Sequence, residues 1–167
     1  MRQAAGGTVL IVDDEEVVRA SLGRVLSNFG YNILIAHDGE EALRTLQATS
    51  VQVIITDNHM PGLSGVDLLK IVRVRHPLVV RIMLTGDSNP ETPVRSINES
   101  EVYRFIRKPW VNADLKTVLS FAFQIARLEQ EKRHLITLLR RQLASPQDPA
   151  DIESELLQLA EEEAAET

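Results

Sequence analysis

Thr8-Val-Leu-Ile-Val12 runs directly into Asp13-Asp14, so an apolar, β-rich stretch ends on two carboxylates. The same grammar recurs three times. Val51-Gln-Val-Ile-Ile-Thr56 ends on Asp57, Val79-Val-Arg-Ile-Met-Leu84 on Thr85-Gly86, and Val102-Tyr-Arg-Phe-Ile106 on Arg107-Lys108-Pro109. Runs of this length and composition predict strands, and a fifth is expected over 31–36. Stretches of helical period lie between them, at 15–28, 39–47, 65–75 and, more briefly, 94–99. Alternation of this kind predicts an α/β fold, a doubly wound five-stranded parallel sheet. The runs are apolar almost throughout, as strands covered on both faces should be. In such a sheet the carboxyl ends of the strands share one edge, so residues distant in sequence meet in one crevice.

The boundaries follow from local chemistry. Val18, Leu22, Val25 and Leu26 form the apolar stripe of the first helix. Pro61-Gly62 marks a turn after the third strand, and His76-Pro77 closes the third helix because a residue before proline disfavours the α region. From about 112 to about 143 a last, extended helix is expected. Leu115, Val118, Leu119 and Ala122 would cover the sheet, while Phe121, Ile125, Leu128, Leu135 and Leu139 continue a stripe at steps of three, four and seven, interrupted by Lys132. Ser145-Pro-Gln-Asp-Pro149 breaks the helix, and Asp148 with Pro149 reads as cap and first position of a final acidic helix. The expected organisation is a disordered lead-in over 1–7, a globular domain over 8–125, a helical extension and possible coiled coil over 126–144, and an acidic helix or linker over 145–167.

The 167 residues are about one domain's worth. The chain has no cysteine, which excludes a disulfide framework and a thiolate zinc site and fits a reducing, cytoplasmic setting. Its apolar runs are far shorter than the roughly 20 residues that span a bilayer, so no membrane association is expected. The net charge is −6. Residues 145–167 hold eight acids and no Lys or Arg, leaving sixteen acids against eighteen bases, a net +2, in 1–144. A nearly neutral domain with an acidic tail is poorly suited to holding nucleic acid through phosphates. His37, His59, His76 and His134 lack paired-ligand spacing, which argues against a metal hydrolase.

Gathered in one crevice, Asp13, Asp14 and Asp57 would repel one another unless a cation neutralised them. Mg²⁺ suits this set, because it prefers a few carboxylates and keeps several waters. Lys108 would add a point charge and Thr85 a hydroxyl donor to an anionic group seated on Asp57, a carboxylate placed to act as nucleophile in forming an acyl phosphate. Each piece alone has a bland reading: Asp-Asp as a helix cap, Lys-Pro as a surface turn. Their joint occurrence in this order, each at a strand end, carries the signal.

Through Leu10-Ile-Val-Asp-Asp-Glu-Glu16, Ile55-Thr-Asp-Asn-His-Met-Pro-Gly62, Met83-Leu-Thr-Gly86 and Tyr103-Arg-Phe-Ile-Arg-Lys-Pro-Trp110, the chain resembles the receiver domain of two-component response regulators over about 8–125. The last motif is similar to that of receivers on hydrogenase-type regulators and on cyclic-di-nucleotide phosphodiesterases. The resemblance implies a flavodoxin-like receiver fold, with Asp57 as phosphoacceptor, Asp14 as direct Mg²⁺ ligand and Asp13 as its outer-sphere partner. It also implies that the His59 backbone carbonyl completes the metal set, that Thr85 is the switch hydroxyl, Lys108 the phosphoryl-binding lysine and Phe105 the aromatic switch. A sensor histidine kinase or phosphotransfer protein is the implied donor. The chain is expected to be a phosphoacceptor, with self-catalysed phosphotransfer and dephosphorylation only, rather than an enzyme acting on other molecules. One departure is that the segment before 94–99 reads Ser88-Asn-Pro-Glu-Thr-Pro93, whose prolines forbid a normal first helical turn before Pro93.

Two other readings compete. An aspartyl-phosphate phosphohydrolase would need an acid/base aspartate two residues after Asp57, where His59 stands. A non-phosphorylated scaffold would use the long helix as a dimerisation module, and a homodimer through that helix is expected of the switch as well. No second globular segment is legible after 145, so the chain should act through partners or form the front of something longer.

Overall fold

In the computed structural model, residues 7–86 and 102–144 are described, with side chains as far as residue 141. The elements are β1 (Thr8–Val12), α1 (Glu16–Asn28), β2 (Asn32–Ala36), α2 (Gly39–Ala48), β3 (Val53–Asp57), α3 (Gly65–Arg75), β4 (Val80–Thr85), β5 (Arg104–Arg107) and α4 (Asn112–Ala144). Residues 1–6 of the lead-in expected over 1–7, the helix expected at 94–99 with Pro90 and Pro93, and the acidic segment 145–167 lie outside the described residues.

The strands form one sheet of order β2-β1-β3-β4-β5. All four pairings are parallel, so the expected doubly wound, flavodoxin-like sheet is what forms. Strand side chains alternate between faces, and two apolar layers result. Leu10, Val12, Ile54 and Met83 pack with Ala42, Leu46, Leu68, Leu69 and Val72 from α2 and α3. On the other face, Val9, Ile11, Ile55, Ile82 and Leu84 pack with Leu22 and Leu26 of α1 and Leu115, Leu119 and Ala122 of α4.

Coverage differs between strands. β3 is buried along its whole length, and β1 is buried from Val9 onward. β2 and β5 are the sheet's edges, and there Asn32, Ile35, Arg104 and Arg107 are exposed. The expectation that every strand is covered on both faces therefore fails at the two edges, because strand order, not composition, decides which strand has a neighbour on each side.

Local caps set the helix starts. Asp38 accepts from the Glu41 N–H at 2.7 Å and Ser64 from the Asp67 N–H at 3.2 Å, each satisfying an amide with no partner in the first turn. α3 stops at Arg75 with His76 as its C-cap, where Pro77 forbids continuation. Trp110 packs against the α1/α4-side core. Ile125 does so as well, so it belongs to the sheet-covering face of α4 and not to an exposed stripe.

By contacts the chain divides into Met1–Gln130 and Glu131–Thr167. In the first unit Phe121 and Leu128 remain exposed. In the second, every described side chain is exposed, Leu135, Ile136, Leu138 and Leu139 among them.

Candidate functional site

Asp57 is the last residue of β3 and is buried. One carboxylate oxygen, Oδ2, accepts the His59 N–H at 2.7 Å, and the other, Oδ1, lies 2.7 Å from Lys108 Nζ. Its backbone carbonyl accepts from Thr56 Oγ1 at 3.0 Å. The chain can turn from β3 into α3 this tightly because residue 65 is glycine: a Cβ there would stand 1.9 Å from the Asp57 carbonyl oxygen.

Asp13 follows β1 and is fully buried. Its Oδ1 accepts the Glu15 N–H at 2.9 Å, its Oδ2 lies 3.0 Å from Lys108 Nζ, and its backbone carbonyl accepts from the Arg19 guanidinium at 2.6 Å. The bland reading of Asp13-Asp14 as a helix cap does not describe this geometry. The cap position of α1 is Glu15, and no side chain caps it. Asp14, next along the loop, is exposed.

Lys108 reaches this point because β5 lies beside β4: Thr85 pairs with Arg107, and the Lys108 N–H donates to the Thr85 carbonyl at 2.8 Å. Its ammonium bridges Asp13 and Asp57. Burial alone would lower the Lys108 pKa, but hydrogen bonds and charge from Asp57 and then Asp13 outweigh it, and the net shift is upward. A half-buried lysine thus stays charged between two carboxylates.

Thr85 ends β4, half-buried, one residue beyond the Asp57–Leu84 pairing. Phe105 pairs with Met83 and packs with it in the α2/α3-side core. By strand alternation Thr85 lies on the same sheet face as Met83 and Phe105, at the carboxyl edge that Asp57 also ends. The structure therefore joins Asp13, Asp57 and Lys108 directly, sets Thr85 at the same edge and Phe105 behind it, and leaves Asp14 and His59 exposed.

The donor set fits a hard divalent ion. Two carboxylates already converge on one positive charge, Asp14 follows Asp13 in the same loop, exposed, and the chain offers oxygen donors without thiols. Among the described residues no three His, Asp or Glu side chains are grouped as for a metal ion; Mg²⁺, which takes one or two carboxylates and keeps several waters, is the ion that two converging carboxylates would suit.

Arg19 and Gly65 belong to this site and were not singled out by sequence reasoning. Arg19 precedes Leu22 and Leu26 by three and seven residues, so the phase of the α1 stripe places it on the buried face. Nothing local marks Gly65, whose role comes from a tertiary approach.

A parallel sheet of this order, with two carboxylates and a lysine gathered at its carboxyl edge, is the architecture of a receiver domain. The chain matches the response regulator receiver domain over residues 9–120 and belongs to that family. It is 37% identical over 133 residues to the hydrogenase transcriptional regulatory protein HoxA of Cupriavidus necator, covering 80% of this chain and 27% of that protein. It is 36% identical over 141 residues to the nitrogen assimilation regulatory protein NtrX of Azorhizobium caulinodans, covering 83% and 30%. The crystal structure of the receiver domain of an HD domain-containing protein from Pseudomonas fluorescens Pf-5 superposes with a TM-score of 0.71 at 33% identity, covering 75% of this chain and 93% of that one. The chain thus spans between a quarter and a third of these two curated relatives. The resemblance to hydrogenase-type regulators read from the sequence agrees with the HoxA match.

Proposed function

We propose that this receiver accepts a phosphoryl group on Asp57 from the phosphohistidine of a sensor kinase or phosphotransfer protein, in a Mg²⁺-dependent reaction, and that the modified state controls a partner or an output domain. The observation that carries the reading is the single ammonium of Lys108 shared by Asp57 and Asp13, which is the arrangement needed to seat an anion on a carboxylate.

An Asp57 carboxylate oxygen attacks phosphorus, the P–N bond to the donor imidazole breaks, and the imidazole keeps the bonding pair. Lys108 then pairs with phosphoryl oxygens in place of the free carboxylate. Asp14, Asp57, Asp13 and the His59 carbonyl would hold Mg²⁺, which when bound offsets the negative charge of donor and acceptor. The Thr85 hydroxyl moves to donate to the phosphoryl oxygens and Phe105 rotates inward behind it, a population shift between two states of one fold. Water later hydrolyses the acyl phosphate. Because the protein modifies and restores its own residue, we assign it no activity on other substrates. The phosphohydrolase alternative gains no support, since the residue two beyond Asp57 contributes a backbone N–H there and its side chain is histidine.

We also propose a homodimer through α4. Phe121, Leu128 and Leu135 recur every seven residues, with Leu139 four further on, and all four are exposed, the pattern of a two-helix seam. This observation alone keeps the scaffold reading alive, and both readings predict the dimer. No described helix is long and apolar enough to cross a membrane, and we place the protein with its kinase partner in the cytoplasm.

Phosphate-affinity electrophoresis after incubation with acetyl phosphate, with and without Mg²⁺, on wild type and Asp57→Asn tests the switch. A shifted band only in the wild type with Mg²⁺ is expected; equal modification of both proteins would sink the assignment.

A further inference from the structure

Asp14 is the exposed member of the acidic pair, and no hydrogen bond holds its carboxylate among the described residues. Its direction is set by the backbone before it. The carbonyl oxygen of Asp13 and the Cα of Asp14 belong to one rigid peptide plane. A bond to that oxygen therefore restrains the rotation that aims the Asp14 side chain. The bond is supplied by Arg19 Nη1 at 2.6 Å, short for a charged donor on a neutral carbonyl.

Arg19 is an unusual choice for its position. It is 9% exposed, on a helix face shared with the fully buried Leu22 and Leu26. Packing alone would favour an apolar residue there, because burying a guanidinium is costly. The other anchors of Asp13 act elsewhere: Glu15 N–H and Lys108 hold its carboxylate, and its own N–H donates to the Ala36 carbonyl at 3.4 Å. Among the described residues, only Arg19 holds the carbonyl that leads into Asp14.

We propose that Arg19 is a positioning residue for the metal-binding pair: its buried guanidinium fixes the Asp13–Asp14 peptide plane and so sets the affinity of the site for Mg²⁺. This rests on the Mg²⁺-dependent reading above. Arg19 is bonded to the Asp13 carbonyl and acts through the backbone, as outer-shell groups orient ligands.

The test is calorimetric titration of the full chain with MgCl₂, comparing wild type with Arg19→Met, which keeps an apolar stem, Arg19→Gln, which is too short to reach, and Arg19→Lys, which keeps a charged donor. Met and Gln are expected to weaken Mg²⁺ binding on the order of 10-fold, the low end for outer-shell changes, and Lys to restore most of it. The Mg²⁺ concentration giving half-maximal phosphorylation by acetyl phosphate should rise in parallel, with the rate recovered at saturating Mg²⁺. A folded Met or Gln variant with wild-type affinity would overturn the proposal, as would a rate loss that saturating Mg²⁺ does not recover. A wild-type chain that binds no Mg²⁺ would overturn the reading of the site itself, a result distinct from either.

Discussion

Lys108 Nζ stands 2.7 Å from Asp57 Oδ1 and 3.0 Å from Asp13 Oδ2, joining the ends of β3 and β1 through a residue that follows β5. Three strands thus contribute to one charge cluster, and parallel pairing is what aligns their ends. The lysine compensates two carboxylates that would otherwise face each other with little water, so one contact supports both the fold's edge and its chemistry.

That contact predicts a pH dependence. Its raised pKa means that folded Lys108 holds its proton more tightly than the unfolded chain does. The resulting stabilisation is complete below the ordinary lysine value of 10.5 and is lost as pH rises through the higher folded value. Urea unfolding between about pH 8 and pH 11.5 should show wild type losing stability more steeply on the alkaline side than Lys108→Met. Parallel slopes would show that the ammonium is not stabilised by its partners.

Gly65→Ala should be costly. Its Cβ would lie 1.9 Å from the Asp57 carbonyl oxygen, and backbone must move to admit it. A loss of about 1–3 kcal/mol, typical of overpacking, is expected from denaturant unfolding, with slower phosphorylation because the displaced backbone carries the acceptor. A variant as stable as wild type would mean that α3 can withdraw without cost.

Much of this site was legible because the residues gathered there directly follow or close runs whose composition marks strands. Asp13, Asp57, Thr85 and Lys108 needed only strand ends and parallel order to be brought to one edge. What escaped is non-local. Ile35 and Arg104 are exposed because β2 and β5 have no outer neighbour, a property of strand order. Ile125 lies on the same helix as Phe121 and Leu128, yet its phase turns it into the core. Gly65 matters through a backbone approach that no local pattern records, whereas Arg19 was readable in the phase of α1 but hidden by the expectation that a buried face carries apolar residues.

Thr85→Ala should be phosphorylated as readily as wild type but fail to change state. The NMR resonances around Phe105 should shift when beryllofluoride and Mg²⁺ are added to wild type and stay nearly fixed in the variant. Unchanged resonances in the wild type would contradict coupling between the two residues.

The α4 seam predicts a dimer. Burying each large apolar side chain is worth about 1.5–3 kcal/mol before ordering costs, and Lys132 within the heptad pattern should moderate the affinity. Light scattering on the full chain and on a version ending at Ala144 separates the cases. Dimers in both support the helix pair. A monomer that dimerises only on truncation would mean that the acidic segment covers the seam, and monomers in both would refute it.

The most direct test of the central claim is mass spectrometry of the intact chain and its peptides after exposure to acetyl phosphate. The account predicts one added phosphoryl group, on Asp57, appearing only with Mg²⁺ and absent from Asp57→Asn, with Asp14→Ala abolishing it and Asp13→Ala weakening it. Modification at another residue, or at Asp57 equally well without Mg²⁺, would contradict it.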